Sequence, residues 1–194
     1  MHLVYQRHFA DYEVIRHLSA HVPWPYPNDG VRVYLQTVVF LKLGQDYWQW
    51  GICLRDRTDE INGAIDLWRT GKPENRGFWL GREYWGRGLM TEAVVPVMDH
   101  AFDNLGFAEV ILSNALGNDR SRRVKEKTGA TFLGTETAKF VDPSYTEHEI
   151  WQLTNVAWKS GRQKSPDLVA FLIMLPPATI HLFNWSGGPH AGWC

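Results

Sequence analysis

Gly77-Phe-Trp-Leu-Gly-Arg-Glu-Tyr-Trp-Gly-Arg-Gly-Leu-Met-Thr-Glu92 is the stretch on which the fold turns. Gly77 to Leu80 has the apolar, aromatic character of a short buried strand. Gly86-Arg87-Gly88 reads as a turn leading into a helix from about Thr91 to Leu105, with Gly106 placed to stop it. The first N–H groups of a helix have no partner inside it, and the peptide dipoles leave partial positive charge there. Glycines let the backbone close around an anion at such a point. Strand, turn and helix start therefore form a candidate phosphate cradle, to which Arg87 adds charge. The dinucleotide fingerprint G-x-G-x-x-G and the phosphate loop G-x-x-x-x-G-K-S/T are both absent. Taken alone, the glycines fit a plain tight turn equally well.

Downstream lies a second informative stretch, Asn118-Asp-Arg-Ser-Arg-Arg-Val-Lys-Glu-Lys-Thr-Gly-Ala130. Asn118 or Asp119 can cap a short helix from Ser121 to Thr128, closed by Gly129. Val124 is its main apolar anchor, and its basic residues are expected to face out or to touch an anion. Around these two stretches the pattern alternates. His2 to Arg7 reads as a short first strand, and Asp11 opens a helix with Tyr12, Ile15 and Leu18 on one face. Three prolines between His21 and Pro27 end that helix. Asn28 and Asp29 offer caps for a second helix over Gly30 to Leu43. Strands are expected at Tyr47–Arg55, Glu60–Trp68, Gly77–Leu80, Ala108–Asn114, Thr131–Gly134 and His148–Thr154. Hairpins come first, then strand–helix–strand–helix–strand, which predicts one mixed sheet with helices on its faces.

The chain has 194 residues, 44% of them hydrophobic, a length and balance that suit one domain with a tail. Twenty Lys and Arg against 21 Asp and Glu leave a net charge of −1, without the cationic excess that nucleic-acid binding uses. Two cysteines, Cys53 and Cys194, are too few for a disulfide scaffold or a cysteine zinc site. No histidine spacing suggests a metal. The N-terminus lacks an apolar signal core, and the longest apolar run, Leu168 to Leu175, is too short to span a bilayer. These features predict a cytoplasmic protein with no membrane and no nucleic-acid partner.

Taken together, the two stretches resemble the GNAT N-acetyltransferases, in particular the RimJ/RimL branch of ribosomal-protein N-terminal acetyltransferases. The shared marks are Tyr84-Trp-Gly-Arg-Gly88 with Thr91-Glu-Ala93. Some thirty residues on come Asn118, Ser121, Val124, Glu126, Lys127 and Gly129, and then the ending Trp151-x-Leu-Thr154. The likeness covers about Phe9 to Trp158. It implies a GNAT domain over residues 1–158 with a mixed, mostly antiparallel sheet, flanking helices and a splay between the fourth and fifth strands. It also implies acetyl-CoA as cosubstrate. The pantetheine arm is expected along Phe78, Trp79 and Leu80, and the pyrophosphate at Gly86, Arg87, Gly88, Leu89, Met90 and Thr91. Asn118 and Ser121 are expected beside the thioester, with Ser121 as the group that protonates the departing thiolate. Trp24 and Tyr26, in the proline-rich loop, are expected to border the acceptor. The implied activity is direct transfer of acetyl to a primary amine of a protein N-terminus or small molecule, by a monomer or homodimer. A non-catalytic module that binds CoA or a protein partner is the alternative.

Three departures from the family pattern stand out. Trp85 and Met90 replace the Gln or Arg that opens the broad family's turn and the Gly or Ala that ends it. Ala138-Lys139-Phe140 occupies the place where some relatives carry a glutamate base. Glu147, His148, Glu149 and Asp66 are then the remaining candidates for a base. Residues 159–194 form an extension of unknown role. It is read as weakly ordered rather than as an added strand or helix.

Overall fold

The computed structural model describes residues 2–70, 73–161, 170–174 and 181–183. The chain opens with a helix, α1 (His2–Phe9), where alternation predicts a strand. Tyr5, His8 and Phe9 are all buried, and their spacing of three and four residues is that of one helical face. Six residues of alternation are too few to separate the two periods, and packing of Tyr5 and Phe9 on Trp79 decides for the helix. Asp11 caps α2 (Tyr12–Ile15), its carboxylate accepting from the Glu13 N–H. The next predicted helix is present but changes pitch. Helix α3 (Gly30–Tyr34) passes through a π-helical turn, Leu35–Val39, into α4 (Phe40–Lys42).

Four strands and one long helix then build the centre: β1 (Tyr47–Leu54), β2 (Gly63–Trp68), β3 (Arg76–Leu80), α5 (Leu89–Asp103) and β4 (Glu109–Ala115). They are followed by α6 (Asp119–Lys127), β5 (Thr131–Thr137), β6 (Glu147–Thr154) and α7 (Asn155–Gly161). The described residues end in two further strands, β7 (Ala170–Met174) and β8 (His181–Phe183). All eight strands join one sheet in the order β5-β6-β4-β3-β2-β1-β7-β8. Strand β7 pairs antiparallel with β1, from Trp50↔Met174 to Leu54↔Ala170. It takes the edge of β1 that lies away from β2. The glycine- and aromatic-rich end at 186–194 lies outside the described residues.

Every pairing in the sheet is antiparallel except β3 with β4, which is parallel. That pairing holds at one place, Arg76↔Leu112, and beyond it the two strands part. This is the expected splay. Because the predicted first strand is helical, it falls between the third and fourth strands of the chain. Apolar side chains leave the sheet on both faces. Trp48, Trp50, Ile65, Leu67, Leu112, Trp151 and Leu153 pack under α5 and α6. Cys53, Ala64 and Trp79 pack under α1 to α4. Cys53 is buried, and burial pushes its thiol up to about 12, which keeps it protonated and inert.

Candidate functional site

The parting of β3 from β4 opens a cleft of about 1140 Å³ that reaches from the start of α5 to the proline-rich loop. The α5 end is built as the turn chemistry predicts. Gly86 and Gly88 have φ of +73° and +81°, the left-handed region that other residues enter only with strain. Gly88 is the N-cap of α5 and offers no side chain to the helix. The N–H groups of Leu89, Met90 and Thr91 are therefore left for a ligand, and all three residues line the cleft. A Cβ on Gly88 would point into open space.

Most of the expected ligand residues are brought together here. Phe78, Trp79, Leu80, Gly86, Gly88, Leu89, Met90, Thr91, Asn118, Ser121 and Tyr26 all line the cleft. The Trp79 ring is buried and donates from Nε1 to the hydroxyl of Tyr5, another lining residue, at 3.2 Å. Two expectations differ. Arg87 is exposed outside the lining, its guanidinium 5.9 Å from the Tyr84 ring. Trp24 is 45% exposed and packs on Tyr12, in a separate shallow depression with Arg7 and Glu83. In both cases an exposed turn side chain takes a neighbouring ring as its platform. At the cleft mouth, Arg120, Arg123 and Lys127 supply the cationic charge instead, with Arg120 stacked 4.0 Å from the centre of Trp85.

Asn118 caps α6 by accepting from the Ser121 N–H at 3.3 Å. Ser121 is buried, and its Oγ accepts from Lys125 Nζ at 2.9 Å. That bond leaves the serine proton free to be donated into the cleft. Lys125 itself contradicts the expectation that the basic residues of this helix face out, since it is 1% exposed. Its position four residues after Ser121 sets it on the same inward stripe. Burial first, and the neighbouring Arg76 second, hold its pKa well below the usual lysine value.

The other candidate bases divide by face. Glu149 points toward α6 with Trp151, and its carboxylate accepts from Arg122 Nε at 2.8 Å, Asn114 Nδ2 at 2.9 Å and Trp151 Nε1 at 3.2 Å. Burial alone would raise its pKa, but these bonds outweigh burial and hold it below the usual carboxylate range. Such a carboxylate is structural. Glu147, two residues earlier on the same face of the strand, is exposed. His148 lines the cleft, with Nε2 3.8 Å from Glu136. Asp66 lines it too, opposite Gly77 in the β2–β3 register. Gln49 Nε2 donates to Asp66 Oδ1 at 2.6 Å, and the hydroxyls of Tyr34 and Tyr47 meet at 2.9 Å beside it. Burial and the Asp66 charge raise the pKa of both tyrosines, which keeps them neutral. This polar group was not singled out from sequence apart from Asp66. Its signal is the spacing of Tyr47 and Gln49 on one face of a strand otherwise packed with tryptophan.

Among the described residues there is no helix long and apolar enough to cross a membrane, and no group of side chains that could hold a metal ion.

Residues 2–131 match the family model described as an acetyltransferase (GNAT) domain. The chain is 36% identical over 71 residues to YdaF of Bacillus subtilis (strain 168), described as a candidate ribosomal N-acetyltransferase; the match covers 37% of this chain and 34% of that protein. The matched segments span between a third and a half of the length of the curated relatives. A crystal structure of a candidate acetyltransferase from T. thermophilus is similar at 25% identity and a TM-score of 0.62, covering 81% of this chain and 82% of that one. RimJ of Mycobacterium smegmatis, in complex with CoA-disulfide, shares the fold at 16% identity and a TM-score of 0.67, covering 80% and 77%.

Proposed function

Because the chain belongs to the acetyltransferase (GNAT) domain family, we propose that the cleft between β3 and β4 binds acetyl-CoA and passes its acetyl group to a primary amine. The observation that carries this is the splay itself. The edge of β3 from Gly77 to Leu80 has no ladder partner on the β4 side, and it leads straight to the uncapped start of α5. A pantetheine arm can pair with that edge as an added strand, and a pyrophosphate can rest on the N–H groups of Leu89 to Thr91.

In this reading the two faces of the sheet have different tasks. Ser121 lies on the α6 side and gives its proton to the departing thiolate, with Lys125 donating to the same oxygen. Asp66 lies on the α1–α4 side, over Gly77, and receives the acceptor's ammonium with the Tyr34 and Tyr47 hydroxyls beside it. The amine loses a proton before or during attack, and holding both reactants in one cleft supplies much of the rate. A protein N-terminus, with a pKa of about 7.7–8.0, needs less help from a base than a lysine near ~10.4. The acceptor is a protein N-terminus or a small amine, and for the former the glutamate that residues 138–140 lack is dispensable.

The test is release of free thiol from acetyl-CoA by the purified chain in the presence of a panel of amines and short peptides with free N-termini. Amine-dependent thiol release is expected. Binding of acetyl-CoA with no thiol release for any amine would favour the non-catalytic module.

A further inference from the structure

Two buried basic side chains share the cleft, and acetyl transfer by itself uses only the contact of one of them, Lys125, with Ser121. Arg76 opens β3 and is 3% exposed, and Lys125 is 1% exposed. Nε, Nη1 and Nη2 of Arg76 are all buried without a hydrogen-bond partner. The two side chains flank one ring: Arg76 Cζ is 5.3 Å and Lys125 Nζ 5.5 Å from the centre of Phe78. Both residues line the cleft with Phe78 and Ser121. Glu149 acts on Lys125 electrostatically, but its oxygens are engaged by Arg122, Asn114 and Trp151. Burial lowers the Arg76 pKa to about 9, so the guanidinium is still charged at neutral pH. A buried pair of this kind is not explained by stability, since apolar residues of the same size usually serve the fold as well or better. An anion brought from the cleft would supply the missing counter-charge.

The place of the pair along the strand says which anion. Arg76 sits where β3 still touches β4, at the opposite end of β3 from the α5 cradle. The four steps along the strand from Leu80 to Arg76 span ~13 Å at about 3.3 Å each. A pantetheine arm that starts at the cradle and follows β3 runs toward Phe78, whose ring Arg76 and Lys125 flank.

We propose that Arg76 and Lys125 form the anion-binding end of an acyl pocket, and that the chain also accepts a CoA thioester whose acyl group ends in a carboxylate, of the succinyl class. This rests on the reading of the cleft as a CoA-thioester site. An acetyl group ends at the Phe78 ring. A four-carbon dicarboxylic acyl group passes its edge and sets the carboxylate on the planar guanidinium, which suits two parallel hydrogen bonds. The acceptor's amine nitrogen attacks the thioester carbonyl carbon. A C–N bond forms, the C–S bond breaks, the amine gives up a proton, and the thiolate takes one. The products are the N-succinyl amine and free CoA thiol, with the terminal carboxylate unchanged.

The experiment is calorimetric titration of the full chain with acetyl-CoA and, separately, succinyl-CoA, for the wild type and for Arg76→Leu and Lys125→Met. Each substitution replaces a buried basic side chain by an apolar one of similar reach, and melting curves check that each variant folds. The wild type is expected to bind succinyl-CoA at least about tenfold more tightly than acetyl-CoA, a preference that both variants lose, Arg76→Leu while keeping acetyl-CoA affinity. Should either variant fail to fold, the wild-type preference and the other variant still decide. Equal binding of the two thioesters by the wild type overturns the acyl pocket alone, as does equal weakening of both in Arg76→Leu. Failure to bind either thioester overturns the cofactor site and the pocket with it.

Discussion

Gly88 carries the burden of the cradle at the scale of single residues. Its φ of +81° would strain any side chain, at a cost of about 1–3 kcal/mol, and the turn that this φ shapes lines the cleft. Gly88→Val is therefore expected to fold, with melting lowered by a few degrees, and to lose acetyl-CoA affinity by about tenfold or more in a direct binding titration. Ser121 and Asp66 should separate cleanly in kinetics. Ser121→Ala is expected to lower kcat by about 10- to 100-fold at unchanged acetyl-CoA affinity, whereas Asp66→Asn raises the KM for the amine. An unchanged kcat in the first would reduce Ser121 to a helix-turn residue. Glu149 gives a pH prediction. Its folded pKa lies below the unfolded value near ~4.3, so its contribution is complete above that pH and is lost as pH falls through the folded value. Glu149→Gln should lower Tm by about 5 °C at pH 7, and the gap to the wild type should close as the pH is taken toward 3. A gap that persists at pH 3 would mean that shape, not charge, is what Glu149 supplies. Legibility at this scale was uneven. The glycines, Asn118 and Ser121 were readable because turns and caps are local. Arg76 and Lys125 were not, because a lone basic residue shows its burial only when the facing strand is in place.

Elements show the same division. The strands β1 to β6 and the helices α5 and α6 stand within a few residues of where pattern puts them, since each carries enough alternation or helical spacing to settle its period. The first element is the exception, a helix where six residues of alternation suggest a strand. Its face of Tyr5, His8 and Phe9 is selected by Trp79, which is 70 residues away or more. The edge of β1 is paired instead with β7. Ending the chain after Gly161 removes β7 and β8 and leaves that edge of β1 with unpaired N–H and C=O groups, a template for association. The truncated chain is expected to melt lower and to aggregate on concentration. Equal melting and a monomeric elution profile would show that the β7 pairing contributes little.

The whole molecule is two halves of one sheet joined at a single β3–β4 pair and by the helices packed across it. A ligand that bridges the splay links strand β3, helix α5 and helix α6 at once, so its effect should be global. Acetyl-CoA at about 100 times its dissociation constant adds ~2.7 kcal/mol, which in a chain of this size corresponds to a rise in Tm of about 5–10 °C. NAD, which lacks the pantetheine arm, is the control and should leave the melting curve in place. Equal shifts with both ligands would point to nucleotide binding at the basic mouth rather than to pairing along β3.

The strand–glycine–helix unit at 77–92, the Asn118 cap, and the alternation that makes a mixed sheet were determined by sequence alone, because each depends on neighbours within about a helical turn or two strand steps. Tertiary structure alone decided the helical start, the docking of β7 on β1, and the union of Asp66, Tyr34 and Tyr47 on one side of the sheet with Arg76, Ser121 and Lys125 on the other. Those arrangements join residues far apart in the chain, Trp50 and Met174 among them, and only the register of the sheet and the splay of its central strands bring them together.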